Sequence, residues 1–115
     1  MSLQQINQIA PDLWVGPQLQ AADFAEIAAK GFRSVINARP DNEAPDQPES
    51  QLLHEAAVKA GLTYEFLPVI PNQIREQDVI AFAKYLDDLP KPILAFCRTG
   101  NRCSILFSMA KARLN

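Results

Sequence analysis

The feature that most constrains the fold is a regular alternation between short, β-rich apolar runs and longer segments with helical spacing. Each apolar run is closed by a glycine, a proline or a polar turn, the residues that commonly end strands. Strands are predicted at 13–15, 34–38, 64–69 and 93–96, and helices at 19–30, 48–60, 77–89 and 102–114. Repeated strand-to-helix order is typical of parallel sheets. The sequence therefore predicts an α/β fold, with a mostly parallel sheet of four to five strands and helices on both faces.

Two of these segments are more apolar than a half-exposed element would be. The strand ILAF at 93–96 is continuously apolar, which indicates burial on both faces of the sheet. The last helix carries apolar side chains nearly all round its axis, namely Ile105, Leu106, Phe107, Met109 and Ala110. A helix of that composition is predicted to be buried.

Length and composition limit the class of protein. The 115 residues suit a single domain over 1–115, either as a whole protein or as a module of a longer chain. The net charge of −2 gives no overall attraction to nucleic acid or to an anionic membrane. No apolar run is long enough to span a bilayer, and the first residues, MSLQQINQ, lack the features of a secretory signal. With two cysteines and one histidine, neither a disulfide framework nor a metal site is expected, and a cytoplasmic location is predicted.

The stretch ILAFCRTGNRCS at 93–104 places chemistry at the end of the buried strand. Ligands of open α/β sheets bind where strands end, and there Cys97 is followed within about five residues by a helix. Loop amides and the helix dipole stabilise a thiolate and lower a cysteine pKa from ~8.5 toward ~4–7. Gly100 allows a sharp turn, and Arg102 offers a planar, two-pronged donor to an oxyanion. The competing interpretation is a structural cysteine that precedes an ordinary helix.

The rest of this loop extends the predicted anion site, whose full set is Arg98, Thr99, Gly100, Asn101 and Arg102. The backbone amides of 98–102 would line it, and Arg98 would add positive charge. Cys103 is interpreted as a small buried residue, with resolution of an oxidised Cys97 as the alternative. Arg39 is expected either to help bind the anion or to pair with the acidic loop at 41–49. The single histidine, His54, is predicted to be structural.

Several stretches together resemble the bacterial beta-lactamase hydrolase-like family with a phosphatase-like domain. They are LWVGPQL (13–19), GFRSVINARPDNE (31–43), DQP (46–48), AGLTYEFLPV (60–69) and CRTGNR (97–102). The resemblance implies a fold like that of dual-specificity and tyrosine phosphatases. It also implies that Cys97 is the nucleophile, that Arg102 binds the anion and that the reaction proceeds through a cysteinyl-phosphate. Ser104 falls seven residues after Cys97, where phosphatases place a hydroxyl that aids turnover.

Two departures from the tyrosine phosphatase pattern favour a rival reaction. Four residues rather than five separate Cys97 from Arg102, and CRTGNR is similar to the tighter loop of rhodanese sulfurtransferases, which carry a persulfide. The loop PVIPNQIRE (68–76) has Asn72 where phosphatases carry an acidic proton donor. Glu76 and Asp78 are interpreted as charges in the first turn of a helix. Asp41, past the end of the second strand, is either the tentative acid or a turn residue.

Three functions therefore remain open from the sequence. The first is a phosphatase-like hydrolase acting on a small oxyanion or phosphoester. The second is a sulfurtransferase that moves sulfur from thiosulfate to a thiol acceptor. The third is a non-catalytic domain that binds phosphoanions and makes no use of Cys97. None of them requires a cofactor.

Overall fold

The computed structural model describes residues 5–114 and contains one five-stranded sheet with four α-helices. The strands are β1 (Asn7–Ala10), β2 (Leu13–Gly16), β3 (Ser34–Asn37), β4 (Thr63–Phe66) and β5 (Ile93–Phe96). The helices are α1 (Phe24–Ala29), preceded by a 3-10 turn at Ala21–Asp23, and α2 (Ser50–Lys59), α3 (Glu76–Asp88) and α4 (Asn101–Leu114). The expected α/β class and the order of elements from 13 onward are confirmed.

The sheet has the strand order β1-β2-β5-β3-β4 and is mixed. The pairings β2 with β5, β5 with β3 and β3 with β4 are parallel, whereas β1 runs antiparallel to β2. The prediction of a mostly parallel sheet is corrected in this respect. The cause is the hairpin at Pro11 and Asp12, where Asp12 has a φ of 65°, because strands joined by so short a turn can only pair antiparallel.

Apolar side chains fill the space on both faces of the sheet. On one face α1 and α2 cover Val35, Leu94 and Phe96, all fully buried. On the other, α3 and α4 pack against each other and over Ile36 and Ala95. β5 lies between β2 and β3 and all four of its residues are buried, as the continuous apolar run predicts.

The prediction that α4 is buried all round is wrong. Cys103, Leu106 and Ala110 form a buried stripe, but Ile105 and Met109 are 42% and 39% exposed. The sheet and α3 contact only one side of the helix, and residues four apart share a face. Ile105 and Met109 therefore lie together on the other side. Along residues 5–114, none of the helices has the length and hydropathy that a bilayer crossing needs.

The parallel strands direct three loops to the same edge of the sheet. The chain leaves β3, β4 and β5 at their carboxyl ends, and hydrogen bonds continue the pairing beyond the strands. The amide of Ala38 donates to the carbonyl of Phe96 at 2.9 Å, and the amide of Val69 donates to the carbonyl of Ala38 at 3.0 Å. These bonds hold the starts of the three loops side by side, at the edge where the sequence predicts the site.

Candidate active site

An open cleft of about 950 Å³ lies at the carboxyl edge of the parallel strands. Its walls come from the loop after β3, the loop after β4 and the loop that joins β5 to α4. The lining residues are Arg39, Pro40, Glu43, Ala44, Ile70, Pro71, Asn72, Ile74, Cys97, Arg98, Thr99, Asn101, Arg102 and Ile105. The cleft thus combines one cysteine and three arginines with an apolar rim.

The loop after β5 wraps its backbone around the Cys97 sulfur. The amide of Gly100 donates to Sγ at 3.1 Å, and the amides of Thr99 and Cys103 also hydrogen-bond to it. Gly100 reaches this position with a φ of +95°. A Cβ built on it would lie 3.3 Å from the carbonyl oxygen of Gly16, in the neighbouring strand β2. A glycine is therefore needed for the backbone conformation and for the close approach to β2.

Replacing Gly100 with alanine is expected to destabilise the fold and to raise the pKa of Cys97. The left-handed conformation costs a residue with a Cβ about 1–2 kcal/mol, and relief of that strain would pull the Gly100 amide away from the sulfur. Gly31→Ala is the matched control, because Gly31 has a φ of +99° with no atom within 4 Å of the added Cβ. Chemical unfolding should show a loss in both variants that is larger in Gly100→Ala, where the added Cβ also meets the Gly16 carbonyl oxygen. The pH dependence of Cys97 alkylation should shift only in Gly100→Ala. A shift of equal size in both would contradict this role for Gly100.

Cys97 is a thiolate at neutral pH. Its pKa falls from an ordinary value near 9.0 to about 5. Hydrogen bonding from the Cys103 thiol is the largest cause; burial opposes it, and the amides of Cys103, Thr99 and Gly100 lower the pKa further. The thiol of Cys103 is itself fully buried and its pKa is raised, because it donates to Cys97 and lies away from water beside a negative sulfur. One cysteine is therefore charged and the other protonated.

Removing the Cys103 thiol is expected to raise the pKa of Cys97. A hydrogen bond to a charged group is worth about 1.5–3 kcal/mol, which corresponds to about 1–2 pKa units. In Cys103→Ala, the midpoint of the pH–rate profile for alkylation of Cys97 by iodoacetamide should rise by that amount. Cys103→Ser is the matched control, since a hydroxyl also donates, and its midpoint should stay near that of the parent protein. If the alanine variant keeps the parent midpoint, Cys103 does not stabilise the thiolate.

The guanidinium of Arg102 is anchored on one side and open on the other. Nη1 donates to the carbonyl of Val69 at 3.0 Å, to Glu43 Oε2 at 3.1 Å and to the carbonyl of Ala38 at 3.4 Å, while Nη2 donates to Glu43 Oε1 at 3.2 Å. A guanidinium has five N–H donors. The hydrogen bonds found within residues 5–114 leave the Nε–H and one Nη2–H of Arg102 for a ligand. These two hydrogens form the parallel fork that suits two oxygens of an oxyanion.

Glu43 is the residue that holds this arginine, and its role was not predicted from the sequence. Its Oε1 also accepts from Arg39 Nε at 2.9 Å, so that one carboxylate joins two guanidinium groups. Burial raises the pKa of Glu43, but hydrogen bonds from Arg39 and Arg102 outweigh it, and the net shift is downward. The four-residue spacing of Arg39 and Glu43 in RPDNE was the available signal. Arg39 thus pairs with the acidic loop, as one expectation had it, and it is buried.

Two tentative catalytic residues lie outside the cleft. Asp41 Oδ1 accepts from the amide of Ser50 at 2.8 Å, at the start of α2. It lines a separate depression together with His54 and Tyr64, whose rings stack at 5.1 Å. The Ser104 hydroxyl donates to the carbonyl of Gly100 at 3.2 Å and does not line the cleft. Asp41 thus accepts a hydrogen bond from the first residue of α2, and the Ser104 hydroxyl bonds within the first turn of α4.

The rest of the predicted anion set lies around the cleft. Arg98, Thr99 and Asn101 are exposed and line it. The amide of Asn101 donates to Thr99 Oγ1 at 3.3 Å, at the start of α4. This bond uses the Asn101 amide within the loop, so the amides directed at the sulfur are those of residues 99, 100 and 103.

Glu43 is the one carboxylate among the described residues that line the cleft. Asn72 lines it from the loop after β4, in the left-handed conformation with a φ of 63°. Asp78 instead accepts from the amide of Arg75 at 2.9 Å, and Glu76 pairs with Arg113 at 2.6 Å. Both acids lie in the first turn of α3, as interpreted from the sequence. Across residues 5–114, moreover, no group of three or more His, Cys, Asp or Glu side chains could hold a metal ion.

Comparison with known sequences identifies the family. The model of the family described as "Beta-lactamase hydrolase-like protein, phosphatase-like domain" matches residues 5–114. A curated beta-lactamase hydrolase-like protein of Agrobacterium fabrum is 39% identical over 100 residues, which cover 87% of this chain and 23% of the relative. The chain spans about a quarter of the length of the curated relatives it matches. The family match therefore concerns one part of those longer proteins.

Comparison with solved structures finds phosphatases that share this fold. The crystal structure of a candidate phosphatase from Neisseria meningitidis is similar with a TM-score of 0.81 and 37% identity, covering 87% of this chain and 71% of that one. The core catalytic domain of the PP-IP phosphatase SIW14 from S. cerevisiae shares the fold at 14% identity, with a TM-score of 0.65 over 84% of this chain and 57% of that one. These neighbours confirm the expected cysteine-phosphatase fold. Because the family model matches all of residues 5–114, the chain belongs to the phosphatase-like domain family of beta-lactamase hydrolase-like proteins.

Proposed function

We propose that this domain hydrolyses phosphomonoesters that carry good leaving groups, with Cys97 as the nucleophile. The observation that carries the proposal is the thiolate of Cys97, which lines the cleft, accepts hydrogen bonds from three backbone amides and has a pKa of about 5. A thiolate in such surroundings attacks electrophiles at neutral pH. The matched family is phosphatase-like and a similar solved structure is described as a candidate phosphatase, so phosphoester hydrolysis is the class of reaction that we propose.

The first step is attack of the Cys97 sulfur on phosphorus. The S–P bond forms as the ester P–O bond breaks, and the leaving group departs with the electron pair of that bond. Charge on the transferring oxygens is stabilised by the open Nε–Nη2 fork of Arg102 and by the positive charge of Arg98 at the rim. Because Glu43 fixes Nη1 and Nη2, the fork is held in place before the substrate arrives.

The second step is attack of water on the cysteinyl-phosphate, which breaks the S–P bond and returns the thiolate. The departing sulfur is again the acceptor of the Cys103 thiol and the loop amides. The resemblance to phosphatases implied a role for Ser104 in this turnover. We assign that role to Cys103 instead, because the Ser104 hydroxyl is occupied by the carbonyl of Gly100.

The restriction to good leaving groups follows from the charges in the cleft. Among the described residues that line the cleft, Glu43 is the one with a carboxyl group. Its lowered pKa keeps that group unprotonated at neutral pH. A deprotonated carboxylate has no proton to give to an alkoxide. An aryl oxide leaves without such help because its negative charge is delocalised over the ring.

The test compares p-nitrophenyl phosphate with phosphoserine as substrates of the purified domain. The proposal predicts that phosphate is released from the aryl ester and much more slowly from the alkyl ester. It also predicts that Cys97→Ser releases phosphate from neither. Turnover of the two esters at similar rates would contradict the leaving-group restriction. Hydrolysis that persists in Cys97→Ser would contradict the nucleophile.

Sulfur transfer is a second candidate, favoured by the four-residue spacing between Cys97 and Arg102 and by the ionised state of Glu43, the one carboxyl group in the described lining. In this reaction the Cys97 thiolate attacks the outer sulfur of thiosulfate, sulfite leaves with the electron pair, and a persulfide remains. No proton donor is required, because sulfite is stable as an anion. After incubation with thiosulfate, the intact protein should gain the mass of one sulfur atom, and Cys97→Ser should gain none. No gain in the parent protein would exclude this reaction with thiosulfate.

A further inference from the structure

Arg39 is a buried arginine that lines the cleft, and the proposed function gives it no ligand. Its Nε donates to Glu43 Oε1 at 2.9 Å, and its Nη1 donates to Gln18 Oε1 at 3.0 Å. Its backbone amide donates to Asn37 Oδ1 at 2.9 Å. The side chain is only 6% exposed. These contacts hold the guanidinium of Arg39 in one place before any ligand arrives.

Part of this guanidinium has no partner within the protein. Of its five N–H donors, the hydrogen bonds found within residues 5–114 leave one hydrogen on Nη1 and both hydrogens on Nη2. Among those residues, no fully buried side-chain nitrogen or oxygen lacks a partner. Nη2 therefore reaches solvent, although Arg39 as a whole is 5% exposed. Because Arg39 lines the cleft, Nη2 is a donor for a ligand that lies there.

The guanidinium groups of Arg39 and Arg102 lie side by side. Glu43 Oε1 accepts from Arg39 Nε at 2.9 Å and from Arg102 Nη2 at 3.2 Å, so that both arginines contact the same oxygen. Arg102 keeps its own open donors, on Nε and Nη2, for the transferred phosphoryl group. A guanidinium with free donors matches the oxygens of a phosphate or a carboxylate. Two such groups side by side therefore suit a ligand with two oxyanion groups.

The charges of the cleft also favour a ligand with more than one anionic group. Arg39 and Arg102 share one carboxylate, that of Glu43, and their side chains are 6% and 9% exposed. A charge that is removed from water and incompletely paired is costly. Arg98 adds a third positive charge to the described lining, where the Cys97 thiolate is the one negative group besides Glu43. Positive groups therefore outnumber negative ones there before a ligand binds.

From this arrangement we propose that the substrate carries a second oxyanion group, a phosphate or a carboxylate, and that Arg39 binds it while Arg102 binds the transferred phosphoryl group. The identity of the transferred group rests on the proposed function, whereas the second group rests on the contacts of Arg39. Arg39 binds and orients the substrate and takes part in no bond that forms or breaks. The favoured substrates are phosphoesters with two acidic groups close together, rather than esters whose remaining part is uncharged.

The competing explanation is that Arg39 only braces Glu43, which in turn holds Arg102. The contact of Arg39 Nε with Glu43 fits that explanation, but a brace makes no use of the open Nη2. The two explanations predict different changes in affinity when Arg39 is replaced. Loss of a brace weakens the binding of every anion at Arg102. Loss of a second binding group weakens the binding only of ligands that carry two oxyanion groups.

The test measures ligand binding to Cys97→Ser by isothermal titration at about 0.15 M salt, because this variant lacks the nucleophile that would turn the ligands over. The probes are inorganic phosphate, pyrophosphate with its second phosphate, and phosphonoacetate, which joins a phosphonate to a carboxylate. At least one of the two-headed probes should bind about 10- to 100-fold more tightly than inorganic phosphate, the gain expected from hydrogen bonds to a charged group. The probe that shows the gain identifies the second group. Adding Arg39→Gln should remove the gain and change the affinity for inorganic phosphate far less.

Arg98→Gln is the matched control, because it removes the same charge from an exposed arginine of the same cleft. Salt screens an exposed charge more than a buried one, so this variant should keep most of the gain. Arg39→Lys is the second variant at the buried position. It keeps the charge without the planar set of donors, and it should keep only part of the gain. Circular dichroism shows whether each variant is folded.

Equal affinity for inorganic phosphate and for both two-headed probes would overturn the proposal. A gain that disappears in Arg98→Gln but persists in Arg39→Gln would also overturn it, and so would a parallel loss of affinity for all three probes in Arg39→Gln. Binding is measured without turnover, so the two proposals fail separately. A gain that depends on Arg39, in a protein whose parent form hydrolyses no phosphoester, would contradict only the proposed function. Hydrolysis by the parent protein without any gain would contradict only the second oxyanion group.

Discussion

Cys97→Ser is expected to lower turnover of an aryl phosphate by about 10³- to 10⁶-fold, the range found when a catalytic nucleophile is removed. A serine hydroxyl differs from a thiol by one atom and fits the same space. Its proton, however, is held far more tightly than that of a thiol whose pKa is about 5. The Cys103 thiol and the surrounding amides, which together ionise the sulfur, leave the serine oxygen protonated at neutral pH. Steady-state release of p-nitrophenol and a burst experiment would measure the loss.

Phosphate binding gives the control for this variant. The loop amides and the Arg102 fork remain, and the negative sulfur that repels an anion is gone. Isothermal titration should therefore show that Cys97→Ser binds inorganic phosphate at least as tightly as the parent protein. Full activity in the variant would contradict the nucleophile. An inactive parent protein that binds phosphate through the same loop would favour the third function considered from the sequence, a binding module.

Arg102→Lys is expected to lower kcat/KM for the same substrate by about 10²- to 10³-fold, comparable to the loss of an oxyanion-hole donor. Arg102 uses Nη1 and Nη2 to hold Glu43 and the carbonyls of Ala38 and Val69, and within residues 5–114 its Nε–H and second Nη2–H are left for a ligand. A lysine has one nitrogen, which cannot satisfy these acceptors and also present a fork to two oxygens. The loss should appear mainly in kcat, because charge on the oxyanion grows in the transition state.

Arg33→Lys is the matched control for charge and chemistry, since Arg33 is exposed and lies outside the lining of the cleft. Its kinetic constants should equal those of the parent protein. The denaturation midpoints of both variants show whether any loss of activity comes from unfolding. Parent-like kcat and KM in a folded Arg102→Lys would contradict the assigned role.

The parts of the fold that the sequence predicted are those governed by local patterns. The strand at 93–96 was predicted with its observed bounds, because four consecutive apolar residues between a proline and a polar loop allow few alternatives. β1 was missed because NQIA is short, half polar and at the edge of the sheet, and its pairing depends on the hairpin with β2. The strand predicted at 64–69 corresponds to β4, which ends at Phe66 because the regular pairing with β3 stops there. The amide of Leu67 still donates to the carbonyl of Asn37, but that of Val69 donates to Ala38, one residue short of the regular alternation.

The candidate site was predictable where its residues lie within one loop. Cys97, Gly100 and Arg102 share six residues of sequence, so spacing alone indicated their roles. Glu43 is 59 residues from Arg102 and was not singled out, because its contact depends on the packing of loops from different strands. The contact of Cys103 with Cys97 depends on how the turn at Gly100 closes, which spacing does not specify.

The central claim is that Cys97 is ionised at neutral pH, and a titration of its thiolate tests it most directly. The ultraviolet absorbance of a thiolate, recorded against pH for the parent protein and for Cys97→Ser, isolates the contribution of this sulfur by difference. We predict a midpoint near pH 5, with the thiolate fully formed at pH 7. A midpoint at or above ~8.5, the value of an unperturbed cysteine, would contradict the account.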